Sequence, residues 1–362
     1  MDLAGALPPF AEPVRTPAFG VLVEGIPLPP AALGAIHAVT VTQQENAPAD
    51  FKLQVHDPNL LLIEAADGLL AEGRRIEIAM GYAGALLPMM EGAIDAIDVS
   101  LDEDGGLALS VEGFDGLHAG TRATGSRSFP DNTSDSAIVR RIAPELLPTA
   151  VVAETVPRAT ASRQDAQTTL AFLQQLAQDN DFQLWAEGRT LFFLPLRPGP
   201  AVVFARRRNL IAFSARLSTA GQVGEVEVRT RDVARDQAVT ATASVGLSAD
   251  FLGALSATGL VQVLGQALGL GAAGSKLVVH AEGRAANIQE AQTLADSTLA
   301  ARRRQLLTAH GSVIGDPQVR VGSIVTLLGM GRFSLGLWTI QRVTHRIDQS
   351  GYRTDFTMRQ IL

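Results

Sequence analysis

Hydrophobic and polar residues alternate at period two over much of this 362-residue chain, a pattern that predicts β-strands with one buried face. The alternation is clearest near the C-terminus, where Ile324, Thr326 and Leu328 precede a longer alternating run at 338–347. A turn at 348–351 then predicts a hairpin, whose returning strand carries on one face Tyr352, Thr354, Phe356 and Met358. We therefore expect a β-meander in which these side chains serve burial rather than catalysis.

The N-terminal half has the same kind of pattern. Asp57 and Pro58 are typical of a helix start and predict a short helix that extends to about residue 71. A long hairpin is predicted after Gly92, with its turn in the acidic and glycine-rich stretch 102–106. Three strand-like runs precede the helix, at 19–24, 36–42 and 51–56.

Glycine spacing relates the two regions to each other. One glycine introduces each alternating strand, Gly73 in the first region and Gly322 in the second. Another introduces each long hairpin and has a valine seven residues later, as in Gly92 with Val99 and Gly336 with Val343. We interpret this as a duplicated small β-barrel, one copy at about 17–115 and one ending at the C-terminus. The alternative, that any two long β-hairpins look alike, stays open.

Between the two regions, the apolar residues repeat at the spacing of an α-helix instead of that of a strand. Ser136–Leu147 carries apolar residues at i, i+4 and i+8, and a second amphipathic helix is predicted around Leu170–Ala177. Two short strands follow around Glu187 and Gly188, and three prolines at 195, 198 and 200 mark a boundary.

The remaining part of the chain predicts strands at 210–217 and 223–230, then an Ala- and Gly-rich stretch at about 240–283. A helix at 287–308 follows, and the second barrel is expected to resume at about Ser312. The predicted domains are an extended arm at 1–16, a first tube-like β-barrel at 17–117, a helix-hairpin domain at 118–200, a second tube-like β-barrel at 201–240 plus 311–362, and an insertion with a C-terminal helix at 241–310. The fold class is thus α+β and mainly β.

Composition excludes several classes of protein. The net charge of −7 and the absence of a dominant basic block argue against nucleic-acid binding. There is no cysteine, which excludes disulfides and cysteine metal sites. The apolar runs are too short or too interrupted to cross a bilayer, so no membrane anchor is expected.

No catalytic, cofactor or metal site is predicted. The six histidines have no metal-ligand spacing, and G-x-S-x-G and P-loop motifs are absent from the sequence. Glu91 with Asp95, and Asp102–Asp104, are explained better as solvated turn residues than as a glycosidase pair. His345 is interpreted as a structural histidine that forms hydrogen bonds within its hairpin.

Two arginine clusters are candidate interface residues, because arginine suits interfacial ion pairs. A solvated face is the alternative for each cluster. The clusters are Arg206, Arg207 and Arg208, and Arg302, Arg303 and Arg304 near the end of the predicted helix.

A set of C-terminal residues resembles the signature of the late control gene D family, the baseplate hub proteins of contractile phage tails. Relatives of that family include the hub part of type VI secretion VgrG spike proteins and of phage-tail-like injection particles. The middle segment at 169–193 is also similar to the family's helix and hairpin. The signature residues are Gly315, Pro317, Gly322, Gly329, Gly331, Phe333, Ser334, Gly336, Trp338, Val343, His345, Gly351, Tyr352, Thr354 and Phe356.

The resemblance implies a structural hub with two tube-like barrels per chain, which assembles as a homotrimer into a pseudo-hexameric ring. Such a ring adapts a six-fold inner tube to a three-fold spike and is driven through the target envelope when the sheath contracts. The implied partners are the inner tube protein, other baseplate components and, since the chain stops soon after Met358, a separate spike protein of the β-helix type. Cargo in the lumen is left open. Synthesis in the bacterial cytoplasm and a place in a virion or released particle are expected.

Two other classes of function stay open. A tail-associated receptor- or carbohydrate-binding β-protein would need an exposed aromatic platform, yet the chain has two tryptophans and two tyrosines. A tail-embedded hydrolase would need a catalytic set, which the sequence does not show.

Overall fold

The computed structural model describes residues 16–64, 69–101, 107–159, 161–217, 224–232, 237–244, 276–281, 285–304, 307–334 and 336–361. Within them the fold is mainly β, as the alternation predicts. The predicted arm before Thr16 and most of the predicted insertion lie outside these residues. Among the helices that are described, none is both long enough and apolar enough to cross a membrane.

The first unit consists of strands and two short helices around one hydrophobic cluster. Its elements are β1 (Pro17–Val23), β2 (Ile26–Pro27), α1 (Pro30–Ala35), β3 (Ile36–Gln44), β4 (Asp50–Val55), α2 (Leu61–Glu64), β5 (Arg75–Tyr82), β6 (Ala85–Leu101) and β7 (Leu107–Phe114). Alternation along β5 buries Ile76, Ile78 and Met80 in this cluster. The predicted helix starts later than expected, because Leu60 adopts a positive φ of 55° and α2 begins only at Leu61.

The middle unit packs two helices against short strands. Its elements are β8 (Thr124–Phe129), α3 (Asp135–Ile142), β9 (Thr149–Val152), β10 (Ser162–Thr168), α4 (Thr169–Asp179), β11 (Gln183–Glu187) and β12 (Thr190–Leu194). Hydroxyl oxygens cap both helices, Ser134 accepting from the Ala137 N–H and Thr168 from the Ala171 N–H. A second hydrophobic cluster forms between the helices and β11 and β12.

The rest of the chain divides between two further clusters. Its elements are β13 (Ala201–Ala205), β14 (Leu210–Leu217), β15 (Glu225–Asp232), β16 (Gln237–Ser244), β17 (Lys276–His280), α5 (Ile288–Arg303), β18 (Leu307–Ile314), β19 (Ile324–Leu328), β20 (Leu337–Asp348) and β21 (Gly351–Ile361). We call β13, β14 and β18–β21 the second unit; its core contains Trp338, Val343, Phe356 and Met358.

Two expectations differ from the structure in this region. The strand predicted at 223–230 does not join the second unit, because β15 pairs with β16 and β17 in a separate sheet that packs on α5. The helix predicted to Thr308 is too long, since α5 ends at Arg303 and β18 starts at Leu307.

The first and second units share one strand order. The first unit runs β1–β5–β6–β7–β4–β3, and the second runs β13–β19–β20–β21–β18–β14. Apart from β2, the strands of the two units also match in their order along the chain: β1, β3, β4, β5, β6 and β7 correspond in turn to β13, β14, β18, β19, β20 and β21. One difference is that β1 is antiparallel to β5 whereas β13 is parallel to β19. The topology therefore supports the predicted duplication.

Backbone hydrogen bonds fix the alignment of the two units. The Gly73 N–H donates to the Ile94 carbonyl at 2.8 Å, and the Ile94 N–H returns to the residue after Gly73 at 3.0 Å. Gly322 and Ile340 repeat both bonds at 2.9 and 3.1 Å. Ile94 and Ile340 thus hold equivalent places in their units.

A register shift follows each of these isoleucines. The ladder between β6 and β7 shifts after Ile94, and the ladder between β20 and β21 shifts after Ile340. Counting from these positions, Gly92 corresponds to Trp338. The alignment of Gly92 with Gly336 that the sequence suggests is therefore wrong by two residues.

β20 pairs with β3 as well as with β19 and β21, which joins both units in one 13-stranded sheet. Among the described strands this sheet runs as an open path from β14 to β2. No closed barrel is formed by these strand pairs, so closure into two barrels stays a prediction.

Candidate functional site

The signature residues lie together in the second unit, on β20, β21 and the loops that precede them. Trp338, Val343, His345, Thr354 and Phe356 are buried, and Tyr352 is 7% exposed. Gly329, Gly331 and Gly336 have positive φ angles in the connections around β19 and β20, as does Gly351 in the hairpin turn. The set thus consists of core and turn residues.

His345 is the centre of a buried hydrogen-bond network. Its Nε2 lies 2.8 Å from the Val319 carbonyl, which can only accept, so Nε2 carries the proton. Its Nδ1 then accepts from the Tyr352 hydroxyl at 2.9 Å, with the Thr354 hydroxyl at 3.1 Å. Burial lowers the pKa of His345 to about 4, so the ring is neutral at physiological pH. Two of its partners belong to the hairpin and the third comes from the preceding loop.

Gly315 is required by close packing against Tyr352. A Cβ atom at this position would overlap the Tyr352 ring. The Gly315 carbonyl accepts from the Tyr82 hydroxyl of the first unit at 2.7 Å, and the two tyrosine rings lie 5.6 Å apart. One signature glycine therefore contributes to the contact between the two units.

Gly322 is required for two reasons. Its φ of +86° is one that residues with a side chain rarely adopt, and a Cβ atom would overlap the Arg197 carbonyl. The close approach of Gly322 to Arg197 thus connects the second unit to the segment that leaves the middle unit. Within the second unit, the Trp338 Nε1–H donates to the Phe333 carbonyl at 3.1 Å.

A buried ion pair that sequence reasoning missed lies where three units meet. Arg359 of β21 makes two bonds to Glu45, at 2.7 and 2.9 Å. Gln183 of β11 donates to the same carboxylate at 2.8 Å. Glu45 sits in the β3–β4 turn, so its sequence context gives the ordinary signal of a solvated turn residue.

A cavity of about 250 Å³ lies beside this junction and is lined by Gln43, Asp115, Trp185 and Arg197, among others. The Asp115 carboxylate accepts from the Ala49 and Leu117 N–H groups, and burial raises its pKa to about 7. Among the described residues, no hydrogen-bond partner lies within reach of Gln43 Oε1 or Trp185 Nε1. The lining of this cavity thus combines polar and apolar side chains.

The two arginine clusters lie on different elements. Arg206, Arg207 and Arg208 are exposed at the turn between β13 and β14. At the end of α5, Arg304 makes an ion pair with Asp181 of the middle unit and Arg302 is exposed; the side chain of Arg303 lies outside the described residues.

Glu91 and Asp95, the acidic residues weighed as a glycosidase pair, each lie beside an arginine. Glu91 lies 3.5 Å from Arg75, and Asp95 lies 2.6 Å from Arg122. Asp102–Asp104 are outside the described residues. Within those residues, no three His, Asp or Glu side chains converge as they would around a metal ion.

The model of a family described as the Alg8 N-terminal domain matches residues 15–349. The chain belongs to this family. No curated protein matches the chain.

Solved structures of similar fold come from tail proteins. The 43 kDa tail protein of prophage MuSo2 from Shewanella oneidensis has 14% identity and a TM-score of 0.66, with 95% of this chain and 98% of that one covered. A tail protein from Neisseria meningitidis MC58 has 14% identity and a TM-score of 0.67, with 95% and 96% covered. An E. coli component of the type VI secretion system, described as similar to T4 bacteriophage tail proteins gp27 and gp5, has 12% identity and a TM-score of 0.56, with 94% and 77% covered. At these identities the likeness shows a shared fold.

Proposed function

We propose that this chain is a structural hub in the baseplate of a contractile, phage-tail-like injection machine. In this role it joins a six-fold inner tube to a three-fold spike as a homotrimeric ring. The ring is delivered through the target envelope when the sheath contracts.

The observation that carries this proposal is the repetition of one six-strand topology within the chain. Three identical chains with two similar units each present six similar units around one axis, and the same assembly keeps exact three-fold symmetry. A joint between six-fold and three-fold partners needs both symmetries. The shared strand order, with the Gly73–Ile94 and Gly322–Ile340 bonds repeated, meets that need within one polypeptide.

Two further observations support the proposal. The fold is that of tail proteins and of a type VI secretion component. The residues that resemble the late control gene D signature occupy core and turn positions, as expected if their role is to stabilise the fold. No arrangement of the described side chains favours a catalytic alternative.

In this proposal each unit of shared topology is one tube-like domain, at 17–117 and, with bounds changed from the expected 201–240 plus 311–362, at 201–217 plus 307–361. The strands at 225–244, which pair outside the second unit, then belong with the insertion, while the helix-hairpin domain at 118–200 lies between the two tube-like domains in sequence. The proposed partners are a separate β-helix spike protein, the inner tube protein and other baseplate components.

The solution mass tests the proposal directly. Light scattering behind a sizing column should give three times 38.1 kDa for the purified chain alone, or three times 38.1 kDa plus the mass of the spike for its complex with the proposed spike protein. Electron microscopy of that complex with inner tube protein should then show the ring at the tube end. A chain that stays monomeric in both conditions would refute the trimeric hub.

A further inference from the structure

Two strand edges have no partner among the described strands, although the strands equivalent to them in the other unit pair with each other. Among the described strands, β14 pairs only with β18, so its other edge is open. Within the described part of the chain, the segment of β6 from Ala96 to Leu101 likewise pairs with β7 alone, since β5 pairs no further along β6 than Ala93. Open edges of this kind are templates for pairing with another chain.

Where the two units of one chain meet, β3 of the first unit covers the open edge of β20 in the second unit. There β3 pairs antiparallel with β20, from Val39 opposite Ile347 to Gln44 opposite Arg342. Thr42 and Thr344 face each other directly, with their hydroxyl oxygens 3.4 Å apart. One unit therefore offers its β3-type strand to the β20-type strand of the other.

The open edges are the counterparts of these two strands. β14 corresponds to β3, and both ladders shift register at the same place, after Ile36 in one and after Leu210 in the other. β6 corresponds to β20 through the matched shifts after Ile94 and Ile340. Counting from these shifts, Arg216 takes the place of Thr42 and Asp98 takes the place of Thr344.

We propose that β14 of one copy pairs antiparallel with the 97–101 part of β6 in the next copy, which repeats between chains the junction that β3 and β20 form within one. This inference rests on the proposed ring and specifies its subunit interface. The register puts Asp98 directly opposite Arg216. The other pairs are Ile97 with Leu217, Val99 with Ala215, Ser100 with Ser214 and Leu101 with Phe213.

The side chains at these positions suit each other. Asp98 and Arg216 are both exposed and of opposite charge, and no ion pair links either to another described residue. Val99 and Leu101 are 47% and 70% exposed, which is high for apolar side chains in a strand. In the proposed register they lie opposite the half-buried Ala215 and Phe213. Cross-strand pairs of opposite charge and of apolar residues are the contacts that stabilise antiparallel sheets.

This interface is head-to-tail, since it joins the second unit of one chain to the first unit of the next. Such interfaces form rings when the rotation closes. Within the ring, junctions inside chains would alternate with junctions between chains, each made by equivalent strands. The partner that this surface fits is therefore a second copy of the chain.

Disulfide cross-linking tests the register, because the wild-type chain has no cysteine. Directly opposed residues in antiparallel strands have Cα atoms about 4.5–5.5 Å apart, within the range that a disulfide bridges. The full chain carrying both Asp98→Cys and Arg216→Cys should form covalent dimers and trimers under mild oxidation, and no larger species. The matched control combines Asp98→Cys with Ala215→Cys, which places the second thiol on the other face of the sheet and should cross-link poorly.

Charge reversal gives a second measurement that does not depend on disulfide geometry. Arg216→Asp or Asp98→Arg alone should weaken association by about fivefold at each interface, the upper scale of a cross-strand pair. The double variant with both reversals should restore association, as seen in the concentration dependence of the solution mass. Monomer folding is checked for each variant by circular dichroism.

The outcomes separate this inference from the proposed function. A trimer that neither cross-links at positions 98 and 216 nor responds to charge reversal would overturn the strand pairing and leave the ring intact. If the wild-type chain is monomeric both alone and with its spike protein, the ring and the interface both fail. Equal cross-linking in the 98/216 and 98/215 variants would also overturn the register.

Discussion

Glu45 and Arg359 are joined by two hydrogen bonds, at 2.7 and 2.9 Å, although 314 residues separate them in the chain. Their side chains are 14% and 10% exposed, so both charges are largely removed from water. The pair connects the β3–β4 turn of the first unit to the last strand of the second. Gln183 of the middle unit binds the same carboxylate, which makes this pair a common point of all three.

Removal of one partner of the Glu45–Arg359 pair should lower the stability of the folded protein. Arg359→Ala leaves the Glu45 carboxylate without its cation and should lower the free energy of unfolding by about 3 kcal/mol, the scale for a broken buried pair. Denaturant midpoints followed by circular dichroism measure the change. Arg353→Ala on the same strand is the control, because Arg353 is 52% exposed beside Asp355. Its pair with Asp355 should contribute at most about 1 kcal/mol, and equal losses in the two variants would contradict the prediction.

Substitution of Gly315 should disturb the contact between the two units. The Cβ atom of Gly315→Ala overlaps the Tyr352 ring, so the ring must move away from His345 and Tyr82. We expect a loss of about 1–3 kcal/mol in stability, typical of overpacking in a core. Gly34→Ala is the matched control, because a Cβ atom there would have no atom within 4 Å. A Gly315→Ala variant as stable as Gly34→Ala would show that Tyr352 adjusts freely.

The buried histidine should make stability depend on pH. Burial lowers the pKa of His345 from 6.5 to about 4 in the folded protein, whereas the unfolded chain keeps the ordinary value. The unfolded state then binds more protons between these values, so this contribution is present above pH 6.5 and is lost as pH falls through 4. Urea midpoints measured from pH 7 down to pH 4.5 should fall more steeply for the wild type than for His345→Gln. The exposed His310, changed to Gln, should leave the wild-type slope unchanged; the opposite pattern would refute the assignment.

The arginine clusters can be compared by substitution. Arg206, Arg207 and Arg208 are exposed, while Arg304 already pairs with Asp181 inside the chain. If the first cluster lies at a subunit or partner interface, changing its three arginines to serine should reduce assembly more than the same change at Arg302–Arg304. Sizing-column mass with the spike protein measures this. An unchanged assembly in the first variant would remove that cluster from the interface.

Local patterns predicted much of the second unit. The period-two alternation located β19, β20 and β21, and the hairpin turn after Asp348 follows from residues that are adjacent in sequence. His345 was interpreted as structural because no metal-ligand spacing accompanied it, and its contacts in the structure are hydrogen bonds to Tyr352, Thr354 and Val319. These features depend on neighbours within one meander.

Features that depend on distant partners were not predicted. Alternation shows that β15 has a buried face, but it does not say that this face packs on α5 rather than in the second unit. Glu45 gives no local sign of its pairing with Arg359. The alignment of Gly92 with Gly336 was wrong because register shifts and backbone hydrogen bonds determine which positions of the two units are equivalent. These features cannot be read from the types of the residues.

Asp115 should give a pH dependence opposite to that of His345. Burial raises its pKa from 3.8 to about 7, so the folded protein binds more protons than the unfolded chain between these values. The stabilisation is therefore fully present below pH 3.8 and is lost as pH rises through 7. Asp115→Asn cannot become charged, but it keeps only one of the two oxygens, so it can accept from the Ala49 or the Leu117 N–H group and not from both. The lost hydrogen bond lowers stability by an amount that does not change with pH. Relative to the wild type, this variant should gain stability as the pH rises from 4 to 8, which denaturant midpoints measure. The control Asp95→Asn, at an exposed carboxylate paired with Arg122, should show no such gain. A constant difference between Asp115→Asn and the wild type across this range would mean that Asp115 is charged in the folded protein throughout.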